Sequence, residues 1–417
     1  MISSLYKLTA TQALKLVSNN TISVEAYARS LLDRVEERDS TVKAWAYLGA
    51  ARALDKLPIE KRGPLHGLPI GIKDIMNTKD MPTQYGSPIY QGHQPTFDSS
   101  AVAILRSAGA LIFGKTITTE FTVMNSGPET TNPHDPKWLI MCLGAQTGGS
   151  IIRPASFTGI FAMKPTFNAI SIEGQKAFPP TFDTFGFFGR SIDDLKLLAD
   201  VFSLQDDGTP RDIPLDEISV AIVKTPMWSA AGPGTISAIN KTIAILRSNG
   251  INVEDVPFPA EVNNADELKR VQKFITLGEA QASFLRQYRL DKAKLADEIR
   301  QIVENTSNVT HAAKKEATVT FCKIRESISS LVKSYSVVIT PSAVDEAPLG
   351  LGNMGKATFN TLWTGFHMPV INIPAFVGTN GMPIGITLVG PGYRDQQLLQ
   401  TSQVISKILM AEGGWKL

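Results

Sequence analysis

The chain has 417 residues, 43% of them hydrophobic and 19% charged, with 41 basic against 39 acidic side chains and a net charge of +2. That composition fits a globular enzyme with a large core and excludes disordered and fibrous classes. A field this weak gives no argument for nucleic acid or an anionic membrane as partner. No stretch approaches the apolar length of a membrane span, and Met1 to Leu8 lacks a basic region followed by an apolar one. Two isolated cysteines, Cys142 and Cys322, read as buried or free thiols rather than a disulfide framework, so the expected location is cytoplasmic.

In chain order, residues 1–62 read as a helical N-terminal region. Ser23 is a cap, and Val24, Tyr27, Leu31, Leu32 and Val35 recur on one helical face. Short apolar runs follow at Leu68–Ile72, Ala110–Phe113, Ser219–Val223, Val337–Thr340, Val370–Ala375 and Ile384–Val389, with helical patterns between them. Runs of this kind bounded by Gly or Pro predict a largely parallel or mixed sheet covered on both faces, hence an α/β protein. Residues from about 265 to 333, rich in Lys, Glu, Gln and Arg, read as a helical insertion, either a cap over the active site or a solvated flank.

Two motifs carry chemistry. Gly71-Ile72-Lys73-Asp74 places an amine behind the apolar run Leu68-Pro69-Ile70-Gly71-Ile72, where desolvation favours its neutral form. Thr147-Gly148-Gly149-Ser150 places a hydroxyl after two glycines whose amides are free to point at a ligand oxygen. A serine hydroxyl needs an adjacent base, and Lys73 is the candidate for Ser150. Bringing a lysine from its free pKa of about 10.4 to about 7.5 disfavours the ammonium by roughly 4 kcal/mol; Asp74 would oppose this if the two side chains met. Alone, Lys73 reads equally as a strand-end surface lysine and Ser150 as a turn serine. Arg153 suits either a substrate carboxylate or a structural acidic partner.

These residues, with Ser107-Ala108-Gly109-Ala110 through Gly114-Lys115-Thr116, Asn132-Pro133, Met163-Lys164-Pro165-Thr166, Phe359 to Thr364 and Pro383-Ile384-Gly385-Ile386, resemble the amidase signature enzymes. These hydrolyse amides with a Ser-(cis-Ser)-Lys triad. Arg153, three residues after the serine, is similar to malonamidase-type members. The resemblance implies one large domain, 1–417, around a central mixed β-sheet with helices on both faces, where length alone suggests two or three domains. It implies Ser150 as nucleophile, Lys73 as ultimate base and an oxyanion hole from Thr147, Gly148 and Gly149 with the amide of Ser150. It implies a small-molecule amide substrate, no metal and no cofactor, with a homodimer as one option.

One departure stands out. The family's Gly/Ser-rich segment after Asn-Pro, which carries the bridging serine, is missing: Asn132-Pro133-His134-Asp135-Pro136-Lys137-Trp138 passes directly into Leu139-Ile140-Met141-Cys142-Leu143-Gly144. The junction falls near Trp138 and Leu139. Either the full protein carries a mobile loop that this sequence does not include, or the deletion is real and the chain is a disabled relative. An amidotransferase subunit feeding ammonia to a partner is the close alternative.

Three other patterns carry less. Gly109-Ala110-Leu111-Ile112-Phe113-Gly114-Lys115-Thr116 matches a phosphate-loop pattern and is the basis of a rival, a nucleotide-binding protein. Its apolar middle, however, predicts a buried strand whose amides pair within the sheet. Ser4-Leu5-Tyr6-Lys7 lacks the partner motifs of penicillin-binding enzymes. His66, His93, His134, His311 and His367 show no metal-ligand spacing. Trp363 and Phe366 fit core packing better than a pocket wall.

Overall fold

The computed structural model describes residues 5–49, 63–123, 130–132, 141–350 and 354–416. Eleven strands form one sheet: β1 (Trp45–Leu48), β2 (Pro69–Lys73), β3 (Leu111–Thr116), β4 (Met141–Gln146), β5 (Phe161–Lys164), β6 (Thr184–Gly189), β7 (Ser219–Lys224), β8 (Asn252–Pro257), β9 (Val337–Pro341), β10 (Val370–Val377) and β11 (Pro383–Val389). Their order is β1-β3-β2-β4-β6-β5-β10-β11-β9-β7-β8. β3, β2 and β4 are mutually parallel, as are β9, β7 and β8. Antiparallel pairs join these two blocks through β6, β5, β10 and β11. The sheet is therefore mixed, as expected. All six strands read from the sequence are present within a few residues of their expected ends.

Both faces are covered, and alternation along single strands shows it. In β7, Val220 and Ile222 join one core while Ala221 and Val223 join the other; in β9, Val337 and Ile339 divide from Val338 in the same way. The first core takes its helical partners from Asp395–Glu412, Ile192–Val201 and Val24–Val42. The second takes Leu268, Val271 and Ile275 from helix Ala265–Asp291, and Phe321, Ile324 and Ile328 from helix His311–Lys333. The insertion is thus packed on the sheet rather than being a solvated flank.

At the N-terminus, the Ser23 hydroxyl accepts from the Ala26 amide at 3.0 Å, capping the helix as predicted, and all five residues of its expected apolar face are buried. The region is not wholly helical, because Trp45–Leu48 adds an edge strand antiparallel to β3. The phosphate-loop look-alike folds as expected. Leu111–Thr116 lies between β1 and β2, and Lys115 is fully buried in an ion pair with Asp74 at 3.2 Å. No helix among the described residues is long and apolar enough to cross a membrane.

Candidate functional site

Lys73 and Ser150 arise from adjacent parallel strands. β2 ends at Lys73, and its neighbour β4 is in register through Ile72 and Leu143. β4 then runs off its C-terminal end at Gln146 into the turn Thr147-Gly148-Gly149-Ser150. Lys73 is half-buried, and its Nζ lies 3.5 Å from the carbonyl oxygen of Ala145. Asp74, which would oppose a neutral Lys73 if they met, turns instead to Lys115 and to the Gln84 amide at 3.1 Å.

The turn is fixed from behind by a side chain that sequence reasoning did not single out. Gln146 is fully buried, and its Oε1 accepts from the amides of Ile151 and Ile152 at 2.8 and 2.9 Å. Its Nε2 donates to Thr364 Oγ1 at 2.9 Å, and that hydroxyl lies 2.8 Å from the Gly148 carbonyl oxygen. Among the described residues the amides of Gly148, Gly149 and Ser150 have no acceptor, whereas those of Ile151 and Ile152 do. Helix Ile152–Thr158 starts directly after them.

Gly149 allows this arrangement sterically. A Cβ there would stand 2.8 Å from Asn360 Oδ1 and 2.9 Å from Ala357 Cβ, whereas one on Gly148 would meet Thr361 Oγ1 at 3.3 Å. Asn360 cannot turn aside, since its Nδ2 donates to the Ser342 carbonyl at 2.8 Å.

Thr147 points the other way. Its hydroxyl contacts the Asp183 carboxylate and lies 3.1 Å from the Phe178 carbonyl oxygen; Asp183 also receives the Phe178 amide. Burial pushes the Asp183 carboxyl up to about 7, against the opposing pull of the Phe178 amide, the Thr147 hydroxyl and the Lys73 charge. The insertion reaches this region directly: Glu279 accepts from Thr181, and Gln272 donates to the Thr361 carbonyl at 2.9 Å.

Arg153 is 8% exposed and donates to the Gly355 carbonyl at 2.6 Å. Burial draws its guanidinium down to about 10, still protonated at neutrality. No carboxylate faces it among the described residues. Trp363 and Phe366 are core residues, as expected. His367 stacks on Phe167, and burial holds it down to about 3, far from the range of a neutral-pH base. The junction expected near Trp138 and Leu139 lies outside the described residues.

Comparison with known proteins identifies the family. The family model described as Amidase matches residues 26–399. The chloroplastic/mitochondrial glutamyl-tRNA(Gln) amidotransferase subunit of Oryza sativa subsp. indica is 26% identical over a 466-residue alignment covering 91% of this chain and 84% of that protein. The corresponding glutamyl-tRNA(Gln) amidotransferase subunit of Acidothermus cellulolyticus is 31% identical over 303 residues, covering 62% of this chain and 60% of its own. The rice alignment is longer than the 417-residue chain, so that relative carries residues without a counterpart here. Among solved structures, 6-aminohexanoate cyclic dimer hydrolase complexed with substrate superposes with a TM-score of 0.84 at 19% identity, covering 99% of this chain and 98% of that one. With the family match spanning residues 26–399, the chain belongs to the amidase family.

Proposed function

We propose that this chain hydrolyses a carbon–nitrogen amide bond through an acyl-enzyme on Ser150. Ser150 Oγ attacks the carbonyl carbon while its proton passes to Lys73. The carbonyl oxygen, now negative, is held by the amides of Gly148, Gly149 and Ser150, with Thr147 heading the turn. Collapse breaks the C–N bond as the proton moves from Lys73 to the leaving nitrogen, and water then repeats the sequence on the ester. The observation that carries this reading is the set of turn amides beside a serine that have no acceptor among the described residues, next to the paired amides of Ile151 and Ile152. One such donor is worth on the order of 100- to 1000-fold in rate.

For the substrate, the acid-amide class follows from Arg153, a buried cation whose recorded partner is a backbone carbonyl rather than an acidic side chain. A carboxylate on the substrate would complete it. Glutamine hydrolysis with ammonia delivered to a partner is the second reading, favoured by the names of the rice and Acidothermus relatives.

The test is a panel of malonamate, glutamine and neutral aliphatic amides, together with p-nitrophenyl acetate to trap the acyl-enzyme. Expected are a burst with p-nitrophenyl acetate, an acetyl group on Ser150 by mass spectrometry, and loss of both in Ser150→Ala. Arg153→Ala should depress malonamate turnover far more than turnover of neutral amides; equal losses remove its substrate role. No burst and no turnover, from a protein whose intact mass matches 45.2 kDa, would establish the disabled relative instead.

A further inference from the structure

Asp183, 3% exposed, lies immediately before β6 and contacts Thr147 at the head of the serine turn. The Thr147 hydroxyl has one hydrogen and two acceptors in reach, Asp183 and the Phe178 carbonyl oxygen. Both contacts are filled together only when the Asp183 carboxyl keeps a proton and donates it to Thr147 Oγ1, whose own hydrogen then goes to Phe178. An ionised Asp183 instead takes the Thr147 hydrogen and releases the Phe178 carbonyl. The head of the nucleophile turn thus has two hydrogen-bonding states that differ by one proton. The charges of Lys73 at the end of β2, Lys176 before Phe178 and Glu279 on helix Ala265–Asp291 act electrostatically on Asp183.

We infer that Asp183 is a positioning residue for hydrolysis: ionised, it fixes Thr147 at the head of the turn and supplies the counter-charge for the Lys73 ammonium that forms when Ser150 is deprotonated. This rests on the serine–lysine reading above. The proton balance closes without Asp183 exchanging one. The O–C bond forms as hydrogen leaves Ser150 for Lys73, and the C–N bond breaks as that hydrogen leaves Lys73 for the amine. The Thr147 contact ties this buried carboxylate to the turn, and the Lys73 charge acts on it from the end of β2.

The decisive variant is Asp183→Asn, which keeps size and hydrogen bonding to Thr147 but removes the charge. An anion near Lys73 favours its ammonium, so removing it makes Lys73 give up its proton at lower pH. The acid limb of kcat/KM for p-nitrophenyl acetate should move down by about one pH unit, with kcat reduced at least tenfold because the ammonium formed in the reaction has lost its counter-charge. In parallel, the pH dependence of Lys73 labelling by an amine-reactive reagent, read by peptide mass spectrometry, should shift in the same direction. This arm needs no turnover. A merely structural Asp183 would lower rate or melting temperature without moving either titration, and superimposable titrations would overturn the inference. Should Asp183→Asn not fold, Thr147→Val tests the other half, with an expected tenfold loss in kcat; an unchanged kcat would overturn it. Absence of a Ser150-dependent burst in the unmodified protein would sink the proposed function and leave the labelling result to judge Asp183.

Discussion

Replacing Gly149 by alanine places a methyl group between two neighbours that cannot yield. The added Cβ stands 2.8 Å from Asn360 Oδ1, 2.9 Å from Ala357 Cβ and 3.2 Å from Asn360 Cβ, all well inside ordinary contact. Asn360 is tethered through its Nδ2 to Ser342, and Ala357 accepts the Thr361 amide at 2.9 Å, so it is the turn that must move. Overpacking of this kind costs about 1–3 kcal/mol. With an unfolding entropy of about 2.1 cal/mol/K per residue, that lowers Tm by only about 1–3 °C for a chain of this length. Activity should suffer more, because a shift of a few tenths of an ångström moves the Gly149 and Ser150 amides proposed to hold the oxyanion, with an expected loss of about 100-fold or more in kcat. Gly148→Ala is the internal control: its Cβ meets Thr361 Oγ1 at 3.3 Å and Ala357 Cβ at 3.6 Å, so Tm should be unchanged within error. Thermal melts and p-nitrophenyl acetate kinetics on both variants decide. A Gly149→Ala protein with kcat within threefold of the parent would refute the steric argument, as would Gly148→Ala being the less stable of the two.

Gln146→Leu preserves bulk but leaves the amides of Ile151 and Ile152 without their acceptor, at about 1–3 kcal/mol for each buried unpaired donor. Unfolding by denaturant should show a loss of several kcal/mol, and a change below 1 kcal/mol would show that water replaces the side chain. Lys115→Met removes one partner of a buried ion pair and strands Asp74, a change that typically costs about 3–5 kcal/mol. The Lys115→Met, Asp74→Leu double variant should recover much of that loss; a double variant no more stable than the single would disprove the pairing argument.

What the sequence disclosed and what it concealed divide along a physical line. Strands such as Val337–Pro341 and Pro383–Val389 are buried at every position and read directly as apolar runs. β6 escaped because Thr184-Phe-Gly-Phe-Phe-Gly, with two glycines in six residues, resembles a turn although five of its six positions are buried. β8 escaped because, at the sheet edge, four of its six positions are polar or proline, including Glu254 and Asp255. In the site, Lys73 and Ser150 sit inside local motifs, so they were visible. Gln146, Asp183 and Thr364 were not, because their meaning comes from partners distant in the chain: Thr147 with Asp183 across 36 positions, Gln146 with Thr364 across 218. No periodicity encodes such pairs. Only the fold reveals that a glutamine at the end of an apolar strand is a clamp.

Desolvation, the property that first drew attention to Lys73, would by itself select the wrong residue. Lys164, at the end of β5, is fully buried, and burial draws it down to about 7, the range wanted of a base at neutral pH. Lys115 is equally inaccessible and is drawn down to about 8. Yet the fully buried Lys164 donates its Nζ hydrogen to the Pro165 carbonyl at 2.8 Å, and Lys115 is occupied by Asp74, Met76 and Thr83. Neither offers a reacting atom any approach. Lys73 is half-buried at the end of a strand whose parallel neighbour leads into the serine turn. A base must lose water enough to shed its proton and keep access enough to collect one. Of these three lysines only Lys73 lies at the strand ends beside the serine turn, so its proposed role rests on position and not on a proton affinity taken alone.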